Sequence, residues 1–553
     1  MFPFLRFPRE LRDLVYRQYV TIEGGYLCDT DAFTNGRLKG IDGQPIDLAL
    51  VFTCKTIADE MDYGGLALRL NPITFTTLDS PELGSLANVF HALMTTGVDS
   101  LRVAMLNSVG HSLTEKAVTE LKATYPQFAP LLDLFKAERP PPRLGLERRS
   151  LMTRHYGTYG ETPSIYRAFV RHALRLAASE PGSSLTVGDF VRPDARECDT
   201  TGMSSANFAI VDSRLEPWDI PSESEMEALV SMTAHADVLL GQTETPRTKH
   251  RFSAAAAAIY FLRFLSHDLR RQIRRIILLE DTSSVCHPES HAGGLIPFCQ
   301  DYPMLRVERR VALWTNVFTK DVVYDSWREL QWRNFTGEAV PGDLISHQIT
   351  KNLAPWIMEA SALRAAGMPD DSFSILLESG GAPELCTSIF ESVVHRDVAW
   401  QEAWMKCAEE DGTLSLSWFD RRIQSYVAYQ QGVSHVAPIS PRLMQALSNH
   451  WMLTSLDHGF AGYFFEGLPQ AVRDIVEGRS TVSCDFDVGT PLDHEQIFDL
   501  HKAWNERKWA LEWPSHSPAI WRTVSPLPDW AVIVRDNMIR LEEDRLDDAA
   551  YYT

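Results

Sequence analysis

The sequence predicts an α+β fold, with an N-terminal helical module, central α/β layers and a mostly helical C-terminal half. Apolar residues recur at helical spacing in many segments, whereas short stretches such as 73–75 alternate with polar residues. A helical stretch at 253–265 also leads into a buried-strand pattern at 276–280. A length of 553 residues favours three or four folding units.

The first 80 residues are predicted to form two helices and two short strands. Pro8 opens the first helix, because a proline at this position loses no useful hydrogen bond. One face of that helix holds Leu11, Leu14, Val15 and Tyr19, and the opposite face holds Arg9, Asp13 and Arg17. Residues 21–45 have a glycine-rich, loop-like composition with room for a strand or hairpin.

A second helix is predicted between residue 50 and the Gly64-Gly65 pair. Its apolar face holds Leu50, Val51, Cys54, Ile57, Ala58 and Met61. Alternating leucines at 66, 68 and 70, and the Ile73/Phe75 pair, then predict two strands around the Asn71-Pro72 turn.

The remaining elements follow the same two periodicities. Helices are predicted at 83–96, from Thr162-Pro163, from the Ser222/Glu225 capping pair, at 253–265, around Trp400 and Trp404, and from the Asp493/Gln496 pair. Strands are predicted at 101–106 and 276–280. We place a module at 1–80, a helix–strand continuation at 81–139, an exposed proline- and arginine-rich linker at 140–150, a mixed α/β region at 151–335 and a mainly helical region at 336–553.

Composition favours a soluble intracellular protein, cytoplasmic or nuclear. The net charge is −20, which opposes long-range attraction to nucleic acids and anionic membranes. The eight cysteines include no C-x-x-C pair and are too sparse for a disulfide scaffold. The longest apolar run, 254–262, is too short to cross a bilayer. We therefore expect neither a nucleic-acid nor a membrane partner.

Three ordered segments of the N-terminal module resemble an F-box-like family that is abundant in filamentous fungi. Residues 7–16 (FPRELRDLVY) are similar to its opening helix, residues 48–57 (LALVFTCKTI) to its second signature, and residues 71–75 (NPITF) to the strand that follows. Pro8 and Cys54 are 46 positions apart, about twice the separation usual in the ordinary F-box. Phe7 stands where leucine is usual.

The resemblance implies a non-enzymatic interaction protein and, in its most specific form, the substrate receptor of a cullin-type ubiquitin ligase. In F-box proteins paired short helices dock on a Skp-type adaptor, and the rest of the chain selects a protein substrate. The residues that would form the docking surface here are Pro8, Leu11, Leu14, Val15, Leu50, Val51 and Ile57. Apolar residues at helical spacing are more often core residues, so these helices could instead pack on their own domain.

Two alternatives remain open. The long insert between the signatures is compatible with a scaffold protein that has the F-box-like fold without adaptor binding. A metal-dependent or hydrolytic enzyme could also assemble a site from the middle region. That region (216–222 and 275–291) resembles larger members of the same fungal group, but this likeness implies fold only.

No complete catalytic signature supports the enzyme alternative: the sequence lacks G-x-S-x-G, Walker A and G-x-G-x-x-G motifs. The best candidate for a metal site is the set Cys286, His287, His291 and Cys299. Weaker candidates are the Asp485/Asp487 pair and the His494/His501 pair, whose spacing differs from H-E-x-x-H. We assign no metal or other cofactor. The arginines at 270, 271, 274 and 275 would form one stripe if helical, and a solvated face is the simpler interpretation.

Overall fold

The structure is a computed structural model. It describes residues 4–136, 161–179, 210–233, 248–319, 344–410, 465–504, 508–509, 512–513, 517–518 and 520–539. The predicted linker at 140–150 and an acidic C-terminal stretch at 541–548 lie outside these residues.

Helices make up most of the described chain. In order they are α1 (Arg9–Val20), α2 (Thr30–Thr34), α3 (Lys55–Glu60), α4 (Gly65–Leu70), α5 (Pro81–Ala92), α6 (Ser100–Val109), α7 (Glu115–Thr124), α8 (Ala129–Lys136), α9 (Pro163–Ser179), α10 (Glu223–Thr233), α11 (Ala254–Phe264), α12 (His267–Arg270), α13 (Ile296–Asp301), α14 (Ser346–Ala362), α15 (Pro383–Ile389), α16 (His395–Glu410), α17 (Leu468–Val476), α18 (His494–His501) and α19 (Trp530–Asp536). Side-chain oxygens cap several N-termini: Ser80 accepts from the Leu83 N–H, and Ser253 from the Ala256 N–H.

A seven-stranded sheet forms the centre of the fold. The strands within the described residues are β1 (Tyr26–Cys28), β2 (Lys39–Gly40), β3 (Ile73–Thr76), β4 (Arg275–Glu280), β5 (Arg306–Ala312), β6 (Leu344–Ile345), β7 (Phe373–Glu378), β8 (Val482–Cys484) and β9 (Ile520–Trp521). The sheet order is β2-β1-β3-β4-β5-β7-β8, and every pair except β1/β2 is parallel. β6 and β9 form a separate antiparallel pair. Helices and this mixed sheet together give the predicted α+β fold.

One face of the sheet carries the main core. Its side chains alternate with those of the other face, as strand geometry requires. The buried set comprises Tyr26, Ile73, Phe75, Ile276, Leu278, Val307, Val311, Ile375 and Leu377. Helix α11 packs on this face, where Phe261 meets Phe75 with a ring-centroid distance of 5.4 Å.

The sheet crosses the segment boundaries drawn from the sequence. β1 and β3 come from residues 1–80, β4 and β5 from 151–335, and β7 and β8 from 336–553. β3 pairs in register with β4, with Ile73 opposite Ile276 and Phe75 opposite Leu278. The N-terminal module therefore shares a continuous sheet with the rest of the chain.

The structure corrects three predicted elements. The leucines at 66, 68 and 70 lie in helix α4, because Leu66 and Leu70 also fit helical i, i+4 spacing. The apolar run 101–106 lies in helix α6, which continues directly from the wide helical turn Leu93–Asp99. The second helix is broken at Cys54, whose extended backbone (φ −161°, ψ 160°) separates the 3-10 turn Ala49–Phe52 from α3.

Other predicted elements are confirmed. β3 and β4 form where Ile73/Phe75 and residues 276–280 predict strands. Helix α9 starts at Pro163, and helix α11 lies within 253–265. The Ser222/Glu225 capping pair forms, since the Ser222 N–H donates to the Glu225 carboxylate over 2.7 Å at the start of α10.

Candidate functional site

Helix α1 presents a row of large aliphatic side chains to solvent. Leu11, Leu14 and Val15 are 47%, 62% and 47% exposed. Because these positions are related by i, i+3 and i+4, they form one continuous stripe along the helix. The predicted apolar face is thus real, but it points away from the protein's own core. Tyr19, predicted on the same face, is partly buried at its margin.

Polar contacts on the opposite side of α1 fix this orientation. The Arg12 guanidinium donates through Nε to Glu60 Oε2 over 3.0 Å and through Nη2 to Glu60 Oε1. Tyr16 Oη donates to the same Oε2 over 2.6 Å. Arg12, Tyr16 and Val20 are spaced four residues apart, so this second stripe faces α3 and the core.

The segment before α1 is held by the same arginine. Arg12 Nη1 donates to the carbonyls of Leu5 and Phe7, which closes the 3-10 turn Phe4–Arg6 against the helix. Leu5 and Phe7 remain 48% and 38% exposed. Pro8 is exposed and precedes the first helical residue, and its carbonyl accepts from the Leu11 and Arg12 N–H groups.

The second signature contributes one prominent side chain. Phe52 ends the turn Ala49–Phe52 and is 81% exposed. The Leu50 N–H donates to Tyr19 Oη over 3.2 Å, which places this turn beside the C-terminal half of α1. We call Leu5, Phe7, Leu11, Leu14, Val15 and Phe52 the α1 surface.

The structure divides the seven predicted contact residues between surface and core. Pro8, Leu11, Leu14 and Val15 are exposed, and Leu50 is partly buried. Val51 and Ile57 are only 4% and 6% exposed, because they pack inward from the turn and from α3. These two residues belong to the core and not to the α1 surface.

The predicted contact set lacks Leu5, Phe7 and Phe52 of the α1 surface, and it also lacks Glu60, which orients the helix. Phe52 lies inside the quoted second signature, yet helical spacing does not place it with Leu50 and Val51. Glu60 lies 48 positions from Arg12, so no local pattern links them. The sequence feature that could have indicated such a partner is the Arg12/Tyr16 pair, because its i, i+4 spacing places two hydrogen-bonding side chains on one face of α1.

The Glu60 contacts make this arrangement sensitive to acid. Hydrogen bonds from Arg12, together with one from Tyr16 and against the effect of burial, lower the pKa of Glu60 from its ordinary 4.5 to about 2. A carboxyl with a depressed pKa stabilises the fold above its unfolded-state value, and that stabilisation is lost as pH falls through the folded-state value.

We therefore expect the Glu60→Gln variant to be less stable than wild type at neutral pH. The difference in the free energy of unfolding should shrink as pH falls from about 4.5 toward 2. Urea unfolding of both proteins at several pH values measures it. Glu10→Gln, an exposed substitution on α1, is the control. A Glu60→Gln difference that does not vary with pH would contradict the assignment.

Asn71 joins the module to the sheet. Its Nδ2 donates to the carbonyls of Val20 (2.8 Å) and Ala67 (2.9 Å), and its Oδ1 accepts from the Ile22 N–H (2.8 Å). These bonds tie the end of α1 and helix α4 to the start of β3. The α1 surface is therefore carried on a frame anchored to the central sheet.

The middle region holds a second polar cluster, which is buried. Arg309 on β5 donates to Glu280 on β4 through Nε (3.0 Å) and Nη2 (2.7 Å), and both side chains are fully buried. Glu280 also accepts from the Ala254 and Ala255 N–H groups at the start of α11. The guanidinium stacks over the Trp356 ring at 4.6 Å.

A serine–histidine pair lies in the same cluster. Burial lowers the pKa of His291 to about 3, so its ring is neutral. Its Nε2 lies 3.0 Å from the Cys286 carbonyl, which can only accept, so Nδ1 accepts from the Ser253 hydroxyl over 2.6 Å. Ser253 also caps α11, and both side chains are at most 1% exposed. The pair thus joins α11 to the 3-10 helix Pro288–Leu295 and presents no accessible nucleophile.

The structure does not arrange the candidate metal ligands as a metal site. Within the described residues no group of three or more His, Cys, Asp or Glu side chains is arranged to hold a metal ion. In the Cys286, His287, His291 and Cys299 set, His291 is bonded as above, and burial raises the thiol pKa values of Cys286 and Cys299.

The two weaker candidate pairs are also engaged in local contacts. Asp485 accepts from the Ser379 N–H over 2.7 Å, and Asp487 accepts from the Gly489 N–H over 2.9 Å. His501 stacks on Trp504 with a centroid distance of 3.7 Å, whereas His494 lies near the Glu402 and Glu495 carboxylates.

Comparison of the chain with protein-family models, with curated proteins and with solved structures finds no match. None of the described helices has both the length and the apolar character needed to cross a bilayer.

Proposed function

We propose that this chain is a non-enzymatic F-box-like interaction protein whose α1 surface docks on a Skp-type adaptor. The observation that carries the proposal is the exposure of Leu11, Leu14 and Val15 on a helix whose motif resembles the F-box-like opening. In this role the chain would be a substrate receptor of a cullin-type ubiquitin ligase, and the remainder of the chain would bind a protein substrate.

The physical case rests first on apolar area. Fully burying a large apolar side chain stabilises a complex by roughly 1.5–3 kcal/mol. The α1 surface offers six such side chains, from the segment 5–7 before α1, from α1 itself and from the neighbouring 3-10 turn Ala49–Phe52. Clustered exposed apolar residues of this kind mark interaction sites on soluble proteins. An amphipathic helix laid into an apolar groove is an established mode of recognition.

The charged residues around the α1 surface indicate the charge that its partner should carry. Residues 1–20 contain four arginines and two acidic residues, in a chain whose net charge is −20. Arg6, Arg9 and Arg17 are exposed beside the aliphatic stripe. A partner groove with an apolar floor and an acidic border would complement this surface and speed association.

One observation favours the scaffold alternative, in which the F-box-like fold is present without adaptor binding. The insert between the two signatures contributes β1, α2 and β2, so it forms one end of the central sheet. The signature helices are thus built into a larger frame than their resemblance implies. A different partner could then occupy the same α1 surface.

Binding of full-length protein to a purified Skp-type adaptor, measured by isothermal titration calorimetry, tests the proposal. We expect Leu11→Asp combined with Leu14→Asp to weaken binding at least about 100-fold, which corresponds to ~2.7 kcal/mol. The matched control is Phe264→Asp combined with Leu500→Asp, at positions 74% and 73% exposed on other helices. This control should bind like wild type.

Folded wild type that does not bind the adaptor would refute the ligase role. In that case, recovery of another partner that is lost in the Leu11/Leu14 variant would support the scaffold alternative. Adaptor binding that is unaffected by the Leu11/Leu14 substitutions would place the docking surface elsewhere. Thermal unfolding of each variant checks that the fold is intact.

A further inference from the structure

The second face of the central sheet is partly exposed. On β4, β5 and β7 the positions that alternate with the core face carry Ile277, Leu279, Glu308, Arg310, Ser374 and Leu376, and none of these is fully buried. Parallel sheets are usually covered on both faces, and their strands then read as continuous apolar runs. β5 (RVERRVA) instead alternates, which is the pattern of a sheet with one accessible face.

Strand register arranges these side chains in two rows across the sheet. One row runs from Ile277 through Glu308 to Ser374, and the next runs from Leu279 through Arg310 to Leu376. Neighbouring strands lie ~4.8 Å apart, so each row is a line of closely spaced side chains. The rows mix aliphatic and charged groups.

Ion pairs hold the charged members of these rows in place. Glu308 accepts from Arg275 and from Arg310, each over 2.7 Å. Arg310 also lies 3.9 Å from Glu378. The side chains of Glu308, Arg310 and Glu378 are 23%, 36% and 33% exposed, so they are accessible to a partner.

An arginine border lies at the amino ends of β4 and β5. Arg270 ends α12 and Arg275 begins β4, so the four arginines at 270–275 do not form the single helical stripe considered from the sequence. The sheet instead places Arg306 directly opposite Arg275. Arg271, Arg274, Arg275 and Arg306 make up the border. Among the described residues only Arg275 of these four has a carboxylate within ion-pair distance.

We propose that this sheet face and its arginine border bind an extended segment of another protein that carries both acidic and apolar side chains. Acidic side chains would pair with the border, and apolar ones would cover Ile277, Leu279 and Leu376. The inference does not depend on adaptor docking, because the α1 surface and this face are separate sets of residues.

The composition of the face favours a polypeptide over a nucleic acid. The described outward positions of β1, β3, β4, β5, β7 and β8 include no aromatic residue on which a base could stack. A peptide with alternating leucine and glutamate matches aliphatic rows beside arginines better than a nucleic acid does.

Fluorescence anisotropy of a labelled alternating Glu–Leu peptide with the full-length chain tests this assignment. About eight residues are enough to cross the ~19 Å from β3 to β8. We expect Arg275→Glu combined with Arg306→Glu to weaken binding at least about tenfold, and Leu279→Ser combined with Leu376→Ser to weaken it as well. The control is Arg364→Glu, whose side chain is 79% exposed and lies outside the face.

Two further measurements make the outcome decisive. A fluorophore on Ser374→Cys, an exposed position within the rows, in a chain whose exposed Cys54 is replaced by serine, should change its emission when the peptide binds. The Leu11→Asp/Leu14→Asp variant should bind the peptide like wild type, which separates this result from adaptor docking. Absence of peptide binding, equal binding by a Lys–Leu peptide, tighter binding of oligo-dT, or a border variant that binds unchanged while folded would each overturn the proposal.

Discussion

Replacing Arg309 with methionine is expected to lower the free energy of unfolding by about 3–5 kcal/mol. The substitution leaves the Glu280 carboxylate fully buried without its cationic partner, and breaking one side of a buried ion pair typically has an effect of this size. It also removes the Arg309 bond to the Pro288 carbonyl (2.8 Å) and the stacking on Trp356. Urea unfolding monitored by circular dichroism measures the change.

Arg364→Met is the matched control for this prediction. Arg364 pairs with Asp370, but the two side chains are 79% and 68% exposed, and exposed pairs contribute only about 0–1 kcal/mol. The double variant Arg309→Met/Glu280→Gln should recover part of the loss, since no charge is then left buried. Equal effects of Arg309→Met and Arg364→Met would show that the buried pair does not stabilise the sheet.

Phe75→Ala is expected to destabilise the whole chain by about 3–5 kcal/mol, as large-to-small substitutions of buried aromatic residues do. Phe75 is fully buried on β3, opposite Leu278 of β4 and against Phe261 of α11. Because β3 is an interior strand, the cavity weakens the contact between the N-terminal module and the central region. Unfolding followed both by tryptophan fluorescence and by circular dichroism measures the loss and tests whether the transitions coincide.

Phe264→Ala provides the comparison for Phe75→Ala. Phe264 is 74% exposed near the end of α11, so the same chemical change should alter stability by about 0.5 kcal/mol or less. A Phe75→Ala protein in which residues 1–80 unfold separately, while the central region keeps wild-type stability, would contradict the coupling between β3 and β4.

The helices and strands that could be predicted from the sequence are those with local signals, such as caps and apolar periodicity. Helix α1 follows from its apolar spacing after Pro8, and α10 from the Ser222/Glu225 pair, because caps and periodicity act within one or two turns. The strands at 73–76 and 275–280 follow from their β-branched and leucine-rich composition.

The elements predicted wrongly are short apolar runs. Such runs fit a strand and a buried helix equally well, and the leucines at 66–70 and the run 101–106 both became helical. For 101–106 the preceding helical turns supply the backbone hydrogen-bond partners, and the helix simply continues. Neighbouring structure therefore decided what the local pattern left open.

In the candidate site, too, local spacing predicts some features and leaves others to the tertiary structure. Helical spacing is enough to place Leu11, Leu14 and Val15 on one stripe, but not to say whether that stripe faces solvent or core. The F-box-like resemblance also grouped Val51 and Ile57 with them as contact residues, although both side chains are buried. Burial depends on which distant segment packs against each face.

The sequence by itself determined the α+β class, the N-terminal helix with its aliphatic stripe, and two of the strands in the sheet, β3 and β4. Tertiary structure alone decided that the stripe faces outward, through the contact of Arg12 and Tyr16 with Glu60 more than forty positions away. It also decided that Arg306 lies beside Arg275, through the register of β4 and β5. The physical reason is that periodicity records which side chains share a face, whereas the environment of that face depends on pairing between segments far apart in the chain.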